Sequence, residues 1–296
     1  MIATTLNDSD LIADSELILR PDGSLYHLGI KPENLASKII IVGDPDRVPI
    51  VSTMFDDIEC KITGREFLVH TGTYSNKRIT VISSGIGVDN IDIVINELDA
   101  AVNIDLHTRK PKKNHTQLEI VRIGTSGSLQ ADIPVGSFVA SQFAFAIDGV
   151  PYSYESDLTE IEIKIHEALK TSFGWLRKNE NFYTASCSQE LMDRIASNCS
   201  KGITATANGF YGPQGRSLRL RSVMENRIEQ YATFKIDDLR ITNLEMECAG
   251  IYSLASMLGH KALTLCVILA NRASKEFHKS PSASIESLIR LVLERF

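Results

Sequence analysis

The sequence lacks an excess of positive charge. Its 296 residues include 31 Lys and Arg against 37 Asp and Glu, which gives a formal net charge of −6 and a pI near 5.7. Proteins that bind nucleic acid usually carry a basic patch or stripe and a high pI, so we expect no nucleic-acid partner. Any anionic ligand must instead be held by a local cluster of Arg or Lys side chains.

Paired cysteines and long apolar runs are also absent. The five cysteines lie far apart and include no CxxC pair, a usage typical of reduced, buried thiols in a cytosolic protein. Nowhere do about 18 apolar residues follow one another, so no segment is expected to span a membrane. The first ten residues, MIATTLNDSD, contain neither a basic nor an apolar region, which is unlike a signal peptide. We therefore predict a cytoplasmic protein without membrane contact.

The composition is that of an ordinary globular domain, with 43% hydrophobic and 23% charged residues. Short apolar, β-branched runs alternate with stretches of helical period, which favours an α/β fold with a mixed or mostly parallel sheet covered by helices. No linker rich in Gly, Ser or Pro divides the chain, so one domain is expected. The polar, basic stretch 105–117 is predicted to be a solvated loop. The predicted strands are 37–42, 78–82, 118–123 and 262–269, and the predicted helices are 88–102, 160–169 and 284–293.

Three of the predicted strands end in Gly-rich turns that carry polar side chains. In open α/β sheets, ligands bind at the carboxyl ends of the strands, so these turns should converge. They offer uncrowded backbone N–H groups beside Arg47, Arg122 and Thr125, a donor set suited to phosphate or another tetrahedral oxyanion. A single Gly-Asp-Pro turn is more often only a turn, but three such turns together favour a ligand site. The turns are 43–47, 84–87 and 122–127.

Standard nucleotide and hydrolase motifs do not accompany these turns. The sequence has no GxxxxGK[ST] loop, and Gly85-x-Gly87 is followed by Asn90 where a dinucleotide fingerprint needs a third glycine. It also has no GxSxG and no HExxH motif.

Two later segments add different chemistry. In FYGPQGR, residues 210–216, Phe210 can stack on a planar base while Gln214 and Arg216 offer paired hydrogen-bonding groups. The same segment also reads as an ordinary Gly-Pro turn with exposed polar residues. In NLEMECAG, residues 243–250, two carboxylates are predicted at a helix start, where one acid could accept hydrogen bonds from vicinal sugar hydroxyls. Alternatively, both acids merely complement the helix dipole.

The motifs together resemble those of a known family, the nucleoside phosphorylases of the uridine phosphorylase type. The resemblance runs from about Tyr26 to the C-terminus, which leaves residues 1–25 as an N-terminal extension and 26–296 as the family domain. It implies a single α/β domain with a central mixed, partly barrel-like β-sheet flanked by helices. The motifs that carry it are GDPDRV at 43–48, GREF at 64–67, RIGTSG at 122–127, FYGPQGR at 210–216, EMEC at 245–248 and Asn271-Arg272.

The resemblance also implies a role for each matching position. Gly43, Arg47, Arg122 and Thr125 correspond to phosphate-binding positions, and Arg65 corresponds to a phosphate ligand supplied by a neighbouring subunit. Met246 and Glu247 fall at the ribose site, where Glu247 takes the 2′- and 3′-hydroxyls. His27 falls where the adjacent subunit contacts the 5′-hydroxyl. The base-site positions are Phe210, Gln214 and Arg216, supported by Arg272, and the catalytic set is Arg122, Thr125, Gln214, Arg216 and Glu247.

The activity implied is that of a pentosyltransferase: reversible phosphorolysis of uridine to uracil and ribose 1-phosphate, with other pyrimidine nucleosides as further candidate substrates. Inorganic phosphate is then a co-substrate, and no cofactor or metal is required. The resemblance further implies a homo-oligomer, a dimer or a trimer of dimers, with sites shared between subunits. The loop 105–117 is longer than in compact bacterial members and more like that of eukaryotic ones.

Pro213 and the pair Asn271-Arg272 bear on the choice between related functions. Pro213 stands where the family usually has Gly before the Gln of the base loop, and its fixed φ and missing N–H could reshape that loop. The rival enzymes are purine nucleoside phosphorylases and nucleosidases of the same fold, whose Ser-Asp pair after the last buried strand is replaced here by Asn271-Arg272. An Arg cannot act as the acid that protonates a purine. The rival of another class is a non-catalytic nucleoside-binding or storage protein.

Overall fold

The computed structural model describes residues 2–3, 6–7 and 10–296, so residues 1, 4, 5, 8 and 9 of the predicted N-terminal extension lie outside the described residues. In this part of the chain, none of the helices has both the length and the apolar character needed to cross a membrane.

Strands and helices alternate along the chain, as the sequence predicts for an α/β fold. The strands are β1 Ile2–Ala3, β2 Lys38–Val42, β3 Asp57–Gly64, β4 Phe67–Tyr74, β5 Lys77–Ser83, β6 Ile104–Asp105, β7 Lys110–Pro111, β8 Glu119–Ser128, β9 Phe138–Ala146, β10 Ser156–Asp157, β11 Tyr183–Ser186, β12 Ser200–Thr206, β13 Lys235–Ile236, β14 Leu239–Glu245, β15 Lys261–Asn271 and β16 Glu276–Phe277. The α-helices are α1 Arg47–Ser52, α2 Val88–Asn103, α3 Glu160–Ser172, α4 Gln189–Ile195, α5 Glu225–Thr233, α6 Cys248–Met257 and α7 Pro281–Arg295.

Among the described residues, twelve strands form one mixed sheet whose centre closes on itself. Strands β14, β12, β9, β15 and β8 pair in that order, and β14 pairs again with β8 through Asn243–Ser128 and Leu244–Gly127. The sheet continues from β8 through β2, β5 and β4 to β3. The β15–β8, β8–β2 and β2–β5 pairs are parallel, whereas β9–β15 and β4–β5 are antiparallel. This architecture confirms the predicted mixed, partly barrel-like sheet.

The buried strand β2 shows why helices cover both faces of the sheet. Ile39 and Ile41 pack into the cluster that contains α2 and α6, whereas Ile40 and Val42 pack into the cluster that contains α4 and α7. Successive side chains of a strand point to opposite faces, so a continuous apolar run requires two apolar layers.

The predicted elements exist, and most are longer than predicted. Helix α7 starts at Pro281 rather than at residue 284, because Pro is well accommodated in the first turn of a helix. The prediction of a purely solvated loop at 105–117 is wrong in part, because Arg109 anchors the N-terminal segment. Its Nε donates to the carbonyl of Ile12, and its Nη2 donates to the carbonyl of Ala13.

Residues 10–25 pack against the rest of the domain. Leu17 and Leu25 are buried in the same apolar cluster as Leu98 of α2, so this segment contributes to the core that supports the sheet.

Candidate active site

The three glycine-rich turns meet at one cavity of about 770 Å³. Their closeness is visible at Gly43, where a Cβ atom would lie 3.3 Å from the carbonyl oxygen of Gly85. The predicted convergence of the strand ends is therefore confirmed. The lining includes Gly43, Asp44, Pro45, Arg47, Glu66, Gly85, Ile86, Asn90, Arg122, Thr125, Ser126, Gly127, Phe210, Gln214, Arg216, Leu244, Glu245, Met246, Glu247, Leu269, Ala270 and Phe277.

Two neighbouring arginines, Arg47 and Arg122, bring positive charge to the cavity lining. Arg47 stands at the start of α1, and its Nη1 donates to the carbonyl oxygen of Ile123 at 3.3 Å. Burial and the nearby charge of Arg122 lower the pKa of Arg47. Two nearby guanidinium groups repel one another, and an anion that both of them contact offsets this repulsion. The two arginines therefore suit a tetrahedral oxyanion.

Arg122 itself is buried and paired with carboxylates. Its Nη2 donates to Glu247 Oε2, and its Nη1 lies 3.4 Å from Glu245 Oε2. Burial opposes the charged form of Arg122, but the two carboxylates outweigh it, so the pKa of Arg122 is raised. Gly124 makes this placement possible, since a Cβ atom there would lie 2.0 Å from Arg122 Nη1.

The two acids of the EMEC motif have different surroundings. The prediction that both belong to a helix start is wrong, because Glu245 ends β14 and Glu247 is the N-cap residue of α6. Glu245 Oε1 accepts a 2.6 Å bond from Thr206 Oγ1, and its Oε2 accepts the backbone N–H groups of Glu247 and Cys248. Glu245 therefore holds the strand-to-helix turn, and burial raises its pKa.

Glu247 faces the cavity from this turn. Its Oε1 accepts the backbone N–H of Gly87 at 2.9 Å, while its Oε2 accepts from Arg122. A carboxylate oxygen has two lone-pair sites, so Glu247 keeps acceptor capacity for ligand hydroxyls. Met246 lines the same wall of the cavity.

The FYGPQGR loop contributes Phe210, Gln214 and Arg216 to the lining of the cavity. Gln214 is buried, and its Oε1 accepts a 2.6 Å bond from Arg216 Nη1. The Arg216 guanidinium also lies 4.0 Å from the ring centroid of the exposed Phe210 and donates to the Phe210 carbonyl. Burial and the charge of Arg272 lower the pKa of Arg216. Arg272 does not line the cavity, but it donates from Nη1 to the Gln214 carbonyl at 3.0 Å.

Pro213 is accommodated by a local helical turn. Residues Gly212–Gln214 form a short 3₁₀ helix with Pro213 in its first turn, a position where no N–H is needed. Gly215 closes it with φ of 70°, the left-handed conformation that favours glycine. Gly209 leaves space for the proline ring, because a Cβ atom there would lie 2.8 Å from Pro213 Cγ.

Arg65 and His27 lie outside the lining of this cavity. Arg65 is exposed on the β3–β4 turn with φ of 48°, and its guanidinium carbon is 5.6 Å from the ring centroid of Tyr26. His27 is partly exposed, with Nδ1 2.6 Å from Glu97 Oε1. Within one chain the structure therefore does not bring these two residues to the other predicted site residues.

Several lining residues were missed by the sequence analysis. Asn90 stands in the first turn of α2, and its Nδ2 donates to Glu66 Oε1 at 3.1 Å. Ile86 and Phe277 are large, exposed apolar residues at the cavity. The position of Asn90 just after the second glycine turn was the available signal. Phe277 offered no signal, because the pairing of Phe277 with Ala270 that brings β16 to the cavity is a tertiary feature.

Among the described residues, Asp99, His115 and His260 form the group with the spacing of potential metal ligands. The Leu118 N–H donates to His260 Nδ1 at 3.2 Å, so a neutral His260 carries its proton on Nε2, the atom 3.1 Å from Asp99 Oδ1. A metal-bound histidine normally donates from its other ring nitrogen, which is the reverse of this arrangement. These residues therefore do not fit a metal ion.

Two known proteins are similar to this chain over most of its length. A uridine phosphorylase of Thermococcus kodakarensis is 29% identical over 262 residues, which cover 88% of this chain and 82% of that protein. A purine nucleoside phosphorylase of Buchnera aphidicola is 26% identical over 92% of this chain and 98% of its own.

Two solved structures share the fold. The nucleoside phosphorylase of Trypanosoma brucei, which shows uridine phosphorylase activity, superposes with a TM-score of 0.84 at 28% identity and covers 95% of this chain and 99% of its own. A Phytophthora capsici uridine phosphorylase structure has a TM-score of 0.67 at 22% identity, covers 97% of this chain and 98% of its own, and supports the fold alone. A family profile described as the phosphorylase superfamily matches residues 37–295. The chain belongs to the phosphorylase superfamily.

Proposed function

We propose that this protein is a uridine phosphorylase, a pentosyltransferase that reversibly converts uridine and phosphate to uracil and ribose 1-phosphate. The observation that carries the proposal is that one cavity is lined by three kinds of group. They are the two arginines Arg47 and Arg122, the carboxylate of Glu247, and the hydrogen-bonded Gln214–Arg216 pair. The uridine phosphorylase of T. kodakarensis and the T. brucei enzyme with that activity support the choice of substrate.

In this mechanism, Arg47, Arg122, Thr125 and the backbone at Gly43 hold inorganic phosphate beneath the sugar. Glu247 accepts hydrogen bonds from the 2′- and 3′-hydroxyls, beside Met246, and so fixes the anomeric carbon over the phosphate. Holding two reactants in line replaces a bimolecular encounter, so no protein nucleophile is needed. No cofactor or metal takes part in the proposed reaction.

The residues proposed to bind the base, Gln214 and Arg216, stabilise the leaving group. As the glycosidic bond lengthens, negative charge spreads over the pyrimidine, and the donors of Gln214 and Arg216 are aimed at that charge. Phe210 stacks on the ring, and Arg272 holds the Gln214 backbone. Removing one such donor typically costs about 10²–10³ in rate.

The residues at the end of β15 favour a pyrimidine over a purine. Asn271 Nδ2 donates to the carbonyls of Gln130 and Ile133, and its Oδ1 accepts the N–H groups of Ala273 and Ser274. This amide is fully engaged in the turn, and the next residue is Arg272, which cannot supply a proton to a purine nitrogen at neutral pH.

Arg65 is exposed, His27 is partly exposed, and both lie outside the cavity lining, which supports a shared site in a homo-oligomer, a dimer or a trimer of dimers. We propose that each chain lends Arg65 to its neighbour's phosphate and His27 to its neighbour's 5′-hydroxyl. The reaction would serve pyrimidine salvage in the cytoplasm.

The deciding experiment measures uracil release from uridine in phosphate buffer and in phosphate-free buffer, with inosine as the matched purine substrate. We expect release only with phosphate or arsenate, and much faster turnover of uridine than of inosine. Equal turnover without phosphate would make the protein a nucleosidase. A preference for inosine would contradict the assignment of the base loop.

A further inference from the structure

The ion pair between Arg122 and Glu247 joins the proposed phosphate ligand to the proposed ribose ligand. Both side chains are about 5% exposed. In the proposed function, Arg122 binds phosphate and Glu247 binds the ribose hydroxyls, yet in the structure Arg122 also donates directly to Glu247. A charged group that already has a buried partner binds a second one less strongly, because the two compete for the same charge.

We infer that this ion pair makes the binding of the tetrahedral anion and the binding of the nucleoside mutually reinforcing. An anion that takes the charge of Arg122 weakens its hold on Glu247 and frees Oε2 for a sugar hydroxyl. Conversely, hydroxyl donors that engage Glu247 leave more of the Arg122 charge for the anion. Each ligand therefore weakens the ion pair that competes with the binding of the other ligand.

The free donor capacity of Arg122 fits this inference. Its Nε is buried and has no hydrogen-bond partner among the described residues, and its Nη1 has only the Cys266 sulfur at 3.6 Å and the Glu245 oxygen at 3.4 Å. A buried donor left unpaired is costly. An anion bound to Arg122 would accept hydrogen bonds from its guanidinium group while the contact with Glu247 is lost.

The turn that holds Glu247 remains in place during this exchange. Glu247 Oε1 stays bonded to the Gly87 N–H at 2.9 Å, and the neighbouring Glu245 is occupied by Thr206 Oγ1 and two backbone N–H groups. This exchange of partners therefore requires only that the Arg122–Glu247 contact lengthen, with no change in the backbone.

This inference rests on the proposed function, and its test needs no turnover. Sulfate serves as an unreactive tetrahedral dianion and uridine as the nucleoside, with dissociation constants measured by calorimetry. In the wild-type protein, uridine should lower the Kd of sulfate by about 5- to 150-fold, the usual range of coupling between sites. By thermodynamic linkage, sulfate should lower the Kd of uridine by the same factor.

Two comparisons assign the coupling to the ion pair. The Glu247→Gln variant keeps an oxygen for the Gly87 N–H but removes the charge, so sulfate should bind it more tightly and independently of uridine. The matched control is Asp44→Asn, which removes a carboxylate that also lines the cavity and accepts the Asp46 N–H at 3.0 Å. In this control the coupling should persist. With the wild-type protein, 2′,3′-dideoxyuridine should bind without any coupling, because it has no hydroxyls for Glu247.

The outcomes separate the two proposals. If uridine and sulfate both bind but neither alters the Kd of the other, the inference is overturned and the proposed function stands. If the coupling survives in Glu247→Gln, or is equally strong with 2′,3′-dideoxyuridine, the ion pair is not its origin. If uridine does not bind the wild-type protein at all, the proposed function fails and the inference fails with it.

Discussion

Arg272 Nη1 donates to the backbone carbonyl of Gln214 at 3.0 Å. This contact joins the residue after β15 to the loop that carries Gln214 and Arg216. The loop lies on the cavity wall and the arginine lies behind it, so Arg272 acts as a positioning residue. A hydrogen bond from a charged group contributes roughly 1.5–3 kcal/mol.

Replacing Arg272 by Ala should lower kcat/KM for uridine by about 10- to 100-fold, because the loop loses a charge-assisted hydrogen bond of that size. The matched control is Arg290→Ala on the exposed face of α7, which should leave kcat/KM unchanged. Since the contact is to a main-chain oxygen, Arg272→Lys should recover part of the loss. Equal kinetics for Arg272→Ala and Arg290→Ala would show that the base loop holds its shape without this contact.

The Gly124→Ala substitution tests the placement of Arg122. A methyl group at this position would lie 2.0 Å from Arg122 Nη1 and 3.0 Å from Cys266 Sγ, so the guanidinium must move. Overpacking of this kind costs about 1–3 kcal/mol in free energy of unfolding, and phosphate binding should weaken together with stability. Urea unfolding and phosphate titration provide the measurements. The control is Gly174→Ala, where a Cβ atom would have no neighbour within 4 Å; a similar response of both variants would contradict the crowding argument.

Mixing two inactive variants tests whether sites are shared between subunits. If Arg65 completes a neighbour's phosphate site, a dimer of one Arg65→Ala chain and one Arg122→Ala chain has one site with both lesions and one site with neither. At equal mixing about half of the dimers are mixed, so activity should recover to about a quarter of that of the wild type. The measurement is uridine turnover after subunit exchange, with exchange verified by mass spectrometry. Continued inactivity after proven exchange would place Arg65 in its own chain's site.

The free energy of unfolding should decrease at acidic pH because two histidines, His70 and His166, are buried. Burial lowers the pKa of His70 and of His166 below the ordinary value of 6.5. The unfolded chain therefore binds more protons below about pH 6.5, so stability is present above that pH and is lost as the pH falls toward the folded-state pKa. The free energy of unfolding should decrease between pH 7 and pH 5 in urea titrations.

The His70→Gln variant should show a smaller decrease over this range, because one of the two titrating groups is gone. Gln can still place a polar atom near Ser52 Oγ, which lies 2.7 Å from His70 Nδ1. The control is His107→Gln on the exposed loop, which should retain the full dependence. An identical pH dependence in the wild-type protein and in His70→Gln would exclude His70 as a source of the acid sensitivity.

Much of the site could be predicted from the sequence because its parts are local. Apolar runs such as 37–42 require strands buried on both faces, and a glycine turn after each run places backbone donors at the strand end. The motifs around Arg47, Arg122 and Gln214 predict lining residues, and all three line the cavity. Local chemistry also accounts for Pro213, since a proline fits the first turn of a short helix.

The tertiary structure decided what local patterns cannot encode. The closure of the barrel depends on the pairing of Leu244 with Gly127, residues more than a hundred positions apart. Contacts with distant residues also distinguish the two acids of one motif, because Glu245 accepts from Thr206 Oγ1 and from its own turn, whereas Glu247 accepts the Gly87 N–H. Such contacts also place Arg122 beside Glu247 rather than beside a bound anion alone. Propensity and spacing determine which element forms, whereas contacts between distant strands determine which neighbour a charged side chain meets.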